Sequence, residues 1–529
     1  MNLITNPILR GFNPDPSILR VGDDYFIATS TFEWFPGVQI HHSKDLVHWK
    51  LITHPLSRAS QLDMEGNADS GGIWAPCLSW HDGLFYLIYT DVKNWRHNYK
   101  ESHNYLVTAS DIMGPWSEPI YLNSSGFDPS LFHDDDGRKW LVNMLWDFRA
   151  SDVPGHFAGI LHQEFDAHTK KLVGPIRNIF QGSPIGWVEG PHLYKHNGYY
   201  YLMTAEGGTG WNHATTMARS KTIEGPYEID PQNPVITSHG KPELELQKAG
   251  HASIVSTQND EWYLVHLCSR PVGPERRCIL GRETAIQKCV WTDDGWLRLE
   301  HGGNNPQVSV PAPNLPSHPF EKEPVRDEFD ANTLNVNFQS LRVPVDQSWC
   351  SLTERRGWLR LYGRESLSSQ HRQSLIARRV QAFRCEASTC LEFEPVTFQQ
   401  TAGLTAFYDV TTHYYLYVTY DDGKGKHLNL LAMDLYKLSF PLTQTVKIDG
   451  WQRVYLKVTF DYASLQFAYS KDGVKWQNIG PALDATKLSD DYGPESFTGA
   501  FIGLCAQDLS GQCKHADFDW FEYKEETSE

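Results

Sequence analysis

Asp15-Pro16-Ser17, a Gly22-Asp23-Asp24 turn, then Tyr25-Phe26-Ile27-Ala28: this phrase decides the reading of the chain, because variants of it occur five times. Ala75-Pro76-Cys77 leads through His81-Asp82-Gly83 into Phe85-Tyr86-Leu87-Ile88, and Asp128-Pro129-Ser130 through Asp135-Asp136-Gly137 into Trp140-Leu141-Val142. Glu189-Gly190-Pro191 leads through His196-Asn197-Gly198 into Tyr199-Tyr200-Tyr201-Leu202. His251-Ala252-Ser253 leads through Asn259-Asp260 into Trp262-Tyr263-Leu264-Val265. With Pro16, Pro76, Pro129, Pro191 and Ala252 as markers, the intervals are 60, 53, 62 and 61 residues. Asp-Gly and Asn-Gly between aromatic and β-branched runs are hairpin signals. Outer-edge phrases recur as well: Ser43-Lys44-Asp45 with Trp49, Ala109-Ser110-Asp111 with Trp116, Arg219-Ser220-Lys221 with Tyr227. Four strands in about 60 residues make one propeller blade.

Five such blades occupy residues 1–305. Residues 306–325 hold Pro306, Pro311, Pro313, Pro316, Pro319 and Pro324, a composition that predicts a semi-rigid linker. Beyond it the period vanishes. Val454, Leu456, Val458 and Phe460 alternate with polar neighbours, as do Leu465, Phe467 and Tyr469 beyond a turn, and Tyr415, Tyr417 and Thr419 form another such run. Regular strands without helical windows predict a β-sandwich over 326–529. The expected fold class is all-β: a five-bladed β-propeller followed by a C-terminal β-sandwich.

Composition narrows the partners. Lys and Arg number 47 against 64 Asp and Glu, a net charge of −17, and no basic stripe interleaved with aromatics appears. That excludes the positive footprint on which nucleic-acid binding depends and suits a neutral ligand. The 18 Trp, 24 Tyr and 25 Phe mostly serve sheet packing, with a minority in loops free to stack on sugar rings. Nine cysteines, without a CxxC pair or a Cys/His metal spacing, read as reduced thiols. The first residues, MNLITNPILRGFNPDPS, show no secretory pattern, and no apolar run reaches membrane-spanning length. The expectation is a cytoplasmic protein without a membrane partner.

If the repeats superpose, Asp15, Ala75, Asp128, Gly190 and His251 share one position at the start of the innermost strands, with Trp74 and Glu189 one residue earlier. Such positions ring one end of the central channel. A single Asp-Pro is usually a turn. Three carboxylates converging on one funnel repel one another, and a fold keeps them only for a purpose. Acid–base chemistry on an acetal is one purpose: one carboxylate takes a proton from water while a protonated partner gives one to the leaving oxygen. A third charge raises the pKa of the acid. Metal binding by three acids and a histidine is the competing use.

Phe12-Asn13-Pro14-Asp15-Pro16-Ser17, Ser43-Lys44-Asp45-Leu46-Val47-His48-Trp49, Gly72-Ile73-Trp74-Ala75-Pro76, Gly126-Phe127-Asp128-Pro129-Ser130 and Val188-Glu189-Gly190-Pro191 together resemble glycoside hydrolase family 43. The C-terminal run Gly511-Gln512-Cys513-Lys514-His515-Ala516-Asp517-Phe518-Asp519-Trp520-Phe521 resembles the concanavalin-like jelly roll of its two-domain β-xylosidases. The resemblance implies an inverting, exo-acting hydrolase that takes xylose from the non-reducing end of β-1,4-xylo-oligosaccharides. It implies Asp15 as general base, Glu189 as general acid, and Asp128 as the residue that orients the acid and tunes its pKa. It further implies Phe32, Trp74, Trp146, His251 and Arg282 around the sugar. No cofactor is required for the chemistry; a calcium ion held by Glu328 and Asp519, or one near His251, is implied as an accessory. A sandwich loop, expected at Gln507-Asp508-Leu509, narrows the pocket, and the assembly is expected to be a homodimer or homotetramer.

The nearest alternative is an α-L-arabinofuranosidase or a dual activity, since the two sugars present similar hydroxyls. Fructan-cleaving five-bladed enzymes also use three acids, but their Asn-Asp-Pro-Asn-Gly and Arg-Asp-Pro phrases are absent. A non-catalytic sugar-binding protein needs the aromatic platforms without an acid and a base, so the three carboxylates count against it.

Overall fold

The computed structural model describes residues 2–149, 156–494 and 496–526. Each repeat forms one antiparallel sheet whose strands follow one another in sequence. The innermost strands are Ser17–Val21, Gly72–His81, Ser130–His133, Glu189–His196 and Gln247–Ser256. Three further strands complete each blade outward, ending at Lys50–Thr53, Ile120–Asn123, Lys171–Phe180, Glu228–Ile229 and Leu297–Leu299. The fourth blade carries an extra short strand, Ile236–Thr237, against Ala214–Ser220.

Backbone geometry bears out the alignment of the repeats residue by residue. Asp15, Ala75, Asp128, Gly190 and His251 all have positive φ, at 55°, 35°, 54°, 55° and 47°. Four of the five are not glycine, and such residues rarely enter the left-handed region. The same costly turn at every blade entrance places its own side chain (Asp15, Asp128, His251) or its predecessor's (Trp74, Glu189) at the channel mouth.

The ring closes through the N-terminal segment. Leu3–Thr5 pairs with Ser309–Pro311, and Leu9 and Thr284 exchange backbone hydrogen bonds. Asn6 donates from Nδ2 to the Ile286 carbonyl (2.7 Å) and accepts from the Ile286 N–H (2.8 Å). Thr284 Oγ1 donates to the Asn13 carbonyl at 2.6 Å. These bonds bring Asp15 of the first blade beside Arg282 of the fifth. The proline-rich segment is pinned to the propeller rather than left as a spacer: the N–H of Asn314 donates to Glu261 (2.8 Å) and that of His318 to Asp45 (2.7 Å).

From Arg326 the chain forms two facing sheets. One is built on Leu359–Tyr362, His515–Glu525, Arg384–Glu392, Val454–Asp461 and Ser464–Ser470, the other on Ser374–Arg379, Phe501–Asp508, Gln400–Asp409, Thr412–Asp421 and Gly425–Asp434. Leu359, Leu404, Leu456, Phe467, Ile502 and Phe518 fill the space between them. Val454–Asp461 alternates buried and half-buried as its sequence predicts. Thr412–Asp421 does not: eight consecutive residues are buried, because its outer face lies against the propeller. Tyr415, Tyr417, Phe407 and Phe501 there join one apolar cluster with Phe12, Phe32 and Trp34. Trp34 stacks on Phe501 with ring centroids 3.7 Å apart, and its strand Trp34–Phe35 pairs with Ser340–Leu341 of the sandwich. An apolar interface of this kind fixes the two domains as one body.

All nine cysteines are free thiols, and eight are buried. Among the described residues, no helix is long and apolar enough to cross a membrane.

Candidate active site

A cavity of about 380 Å³ opens at the blade entrances and contains Asp15, Asp128 and Glu189 together. The three carboxyls are almost wholly buried, yet their surroundings differ. Asp15 Oδ2 accepts a hydrogen bond from the Ser30 hydroxyl at 2.7 Å, and Oδ1 faces Arg282 Nη1 (3.4 Å) and His251 Nδ1 (3.6 Å). Burial pushes its pKa up, but Arg282, then His251 and the Ser30 bond, outweigh it and hold the carboxyl below its ordinary value. Asp15 is therefore ionised at neutral pH.

Asp128 accepts from the Gly190 N–H at 3.0 Å. Burial lifts its pKa to about 6; His251 opposes the rise and the charge of Asp15 adds to it. Glu189 is lifted well above the ordinary carboxylate range, first by burial and then by the charges of Asp128 and Asp15, with Lys100 and Arg282 in opposition. Its carboxyl therefore holds its proton more firmly than that of Asp15 does. One cavity thus pairs a carboxyl disposed to ionise with one disposed to stay protonated, the pairing that acetal hydrolysis needs.

The shift of the acid by one residue in the fourth repeat has a steric reason. A Cβ on Gly190 would lie 3.0 Å from Nε2 of His251, whose ring packs over that backbone. A side chain there would crowd the His251 ring, so glycine suits the position and the acid comes from the residue before it. Arg282 sits between the Phe32 and Phe497 rings, 5.2 and 4.9 Å from their centroids, and Nη1 donates to Thr209 Oγ1 at 2.8 Å. Its Nε and Nη2 are buried without a hydrogen-bond partner, donors that a ligand hydroxyl would satisfy.

The aromatic residues expected around the sugar are present. Trp74 donates from Nε1 to the Ser70 carbonyl (2.9 Å) and meets Phe127 edge-on at 5.3 Å. Trp146 is held at the rim by a bond from Nε1 to the Asn98 carbonyl at 2.7 Å. Lys100 lies 4.5 Å from the Trp146 ring centroid and 5.5 Å from that of Trp74. Sequence reasoning missed Ser30, Trp95, Lys100 and Thr209. Ser30 stands alone, and the run Gly207-Gly208-Thr209-Gly210 was the one available signal of a loop approaching a ligand.

The sandwich element over the pocket is not the one expected. Gln507-Asp508-Leu509 is tied into the sandwich itself, Asp508 N–H to the Arg364 carbonyl (2.8 Å) and Leu509 N–H to that of Gln399 (3.1 Å). The pocket wall is instead Phe497, on the segment leading into Phe501–Asp508. That segment crosses the one before Arg282 backbone to backbone: a Cβ on Gly499 would lie 2.7 Å from the Gly281 nitrogen, and Ala500 N–H donates to the Ile279 carbonyl at 2.8 Å. One phenylalanine in a non-periodic stretch leaves no pattern to read.

Glu328 is exposed, and Asp519 lies against Arg453 at 3.5 Å. Among the described residues no group of three or more His, Cys, Asp or Glu is gathered to hold a metal, either there or at His251. Calcium takes six or more oxygens, so these residues do not fit it.

Residues 4–297 match glycosyl hydrolases family 43, and residues 326–524 match the beta xylosidase C-terminal concanavalin A-like domain. The chain belongs to glycoside hydrolase family 43. A beta-xylosidase of Bacillus subtilis (strain 168) is 52% identical over 99% of both chains. A protein of Humicola insolens named xylosidase/arabinosidase 43B is also 52% identical, over 99% of this chain and 98% of its own. The crystal structure of a xylan beta-1,4-xylosidase from Bacillus halodurans C-125 superposes with a TM-score of 0.97 at 59% identity, covering 99% of this chain and all of that one. This family 43 member is thus a glycoside hydrolase, all-β, with a propeller and a concanavalin-like domain.

Proposed function

We propose that the enzyme removes xylose from the non-reducing end of short β-1,4-linked xylo-oligosaccharides with inversion at the anomeric carbon. Asp15 takes a proton from water as the water oxygen bonds to that carbon. Glu189 gives its proton to the glycosidic oxygen as the old bond breaks. Asp128 keeps Glu189 protonated by its charge and is tied to the adjacent Gly190 N–H. Arg282 offers two free donors to sugar hydroxyls, and Phe32, Trp74 and Trp146 offer apolar faces. The observation that carries the reading is the meeting of Asp15 and Glu189 in one cavity with unlike surroundings, Arg282 and Ser30 against Asp15 and two carboxyls near Glu189, which shift their pKa values in opposite directions. Phe497 walls that cavity, which favours chain ends over attack within a polymer.

The name of the Humicola insolens relative supports a second activity on α-L-arabinofuranosides. Nine free thiols support a reducing, cytoplasmic setting in which imported oligosaccharides are the substrate. A homodimer or homotetramer remains part of the proposal, to be read by light scattering.

The test is xylobiose with the anomeric protons followed by NMR from the first seconds. The expected first product is α-xylose. Initial β-xylose would overturn inversion and the role of Asp15; cleavage of arabinofuranosides alone would replace the substrate.

A further inference from the structure

Much of the cavity wall hangs from one short stretch, Asn67–Ser70, that takes no part in the proton transfers. Ser70 has φ 58°, which sends its three polar groups in separate directions. Its N–H donates to Glu33 Oε2 at 3.0 Å, its carbonyl accepts from Trp74 Nε1 at 2.9 Å, and its hydroxyl accepts from the Phe497 N–H at 3.0 Å. One residue earlier, the Asp69 carbonyl accepts from Trp95 Nε1 at 2.9 Å. Trp74, Trp95 and Phe497 all line the cavity, and they touch each other, with centroids 5.0 to 6.1 Å apart. Two come from the propeller and one from the sandwich.

The same stretch is gripped from behind by the sandwich. Arg342 donates from Nε to the Asn67 carbonyl (2.8 Å) and from Nη2 to Asp69 Oδ1 (2.7 Å), and its own N–H donates to the Glu33 carbonyl (2.8 Å). Arg342 and Asp69 are each 1% exposed and Glu33 is fully buried. The Arg342–Asp69 ion pair, taken so far out of water, is costly, and packing alone would be served as well by apolar residues. What the charges add is a fixed geometry for one loop, and that loop holds three rings.

We propose that Ser70, locked by Arg342, is the positioning residue through which the sandwich sets the aromatic wall of the sugar pocket, governing affinity for the chain end rather than proton transfer. This rests on the reading of the cavity as the glycoside site. A tilted ring loses contact with the ground state and the transition state alike, so the cost falls on KM.

The test is a double-mutant cycle of Ser70→Gly and Phe497→Ala. Glycine keeps the N–H and carbonyl, accepts the positive φ, and removes the CH2OH side chain that carries the hydroxyl. For Ser70→Gly, KM should rise about 3- to 10-fold, the range one lost hydrogen bond gives, with kcat and its pH profile retained. In the double variant the two effects should be less than additive, because the hydroxyl acts through Phe497. Arg342→Met should raise KM as Ser70→Gly does, and Arg342→Lys should recover part of the loss. Should Arg342→Met fail to fold, the Ser70–Phe497 cycle decides. An unchanged KM in Ser70→Gly, a fall in kcat alone, or full additivity would overturn the proposal. The cycle is run on whichever glycoside the wild type cleaves fastest, xyloside or arabinofuranoside, so a wrong substrate is not mistaken for a wrong positioning residue. Were neither cleaved, xylose binding read by tryptophan fluorescence would give the same four affinities.

Discussion

Asp15 and Asp128 stand at the same place in two blades, with the same residue type, the same following Pro-Ser, φ values of 55° and 54°, and the same deep burial. One is held below the ordinary range and the other raised to about 6. Ring closure delivers Arg282 to Asp15, and Ser30 adds a hydrogen bond. Asp128 has a backbone N–H and the charge of Asp15 as a neighbour. Equivalent positions in a repeat share backbone geometry without sharing a pKa, since ionisation is set by everything within several ångströms, whichever blade supplies it.

The largest expected effect separates the base from the acid. Asp15→Asn should lower kcat/KM at least about 10²-fold on every glycoside, because water activation is always needed. Glu189→Gln should lose as much on xylobiose but far less on aryl glycosides whose leaving group needs no proton. Equal losses on both substrates would erase the distinction between the two carboxyls.

Next in size, the pH–rate limbs should move in opposite directions. Arg282→Met removes the leading influence that keeps Asp15 ionised, so the acid limb should shift to higher pH. Asp128→Asn removes a charge that raises Glu189, so the alkaline limb should shift to lower pH. A common shift in both variants would show that the two aspartates share one environment.

Stability gives a third test. A carboxyl raised in the folded state contributes fully below its unfolded value and is lost as pH climbs through the folded one. For Asp128 that window runs from 3.8 to about 6. Asp128→Asn should therefore gain roughly 1–3 kcal/mol in urea unfolding at pH 7, and the gain should vanish near pH 3. The smallest effect is Ser30→Ala, expected to move the acid limb upward by a few tenths of a pH unit and slow turnover a few-fold, since the hydroxyl both donates to Asp15 and accepts from the Ala75 N–H.

Legibility followed range. The blades could be read because turn residues and aromatic runs recur at a fixed spacing, and the three acids because that spacing put them in register. The C-terminal strands could be read from alternation in Val454–Phe460, but not the packing of Thr412–Asp421, where a second buried face hides the pattern. Phe497 and Ser70 left no signal, as each matters through partners far away in sequence: Phe497 N–H meets Ser70 across 427 residues.

The sequence by itself determined the five blades, the shared position at the start of each innermost strand, and the convergence of Asp15, Asp128 and Glu189, all consequences of local chemistry repeated at one period. Only the tertiary structure decided which aspartate has the raised pKa, why the acid sits at Glu189 rather than at Gly190, and which sandwich residue walls the pocket. Those depend on Arg282, His251 and Phe497 arriving from other blades or another domain, and distances through space are written in no local pattern.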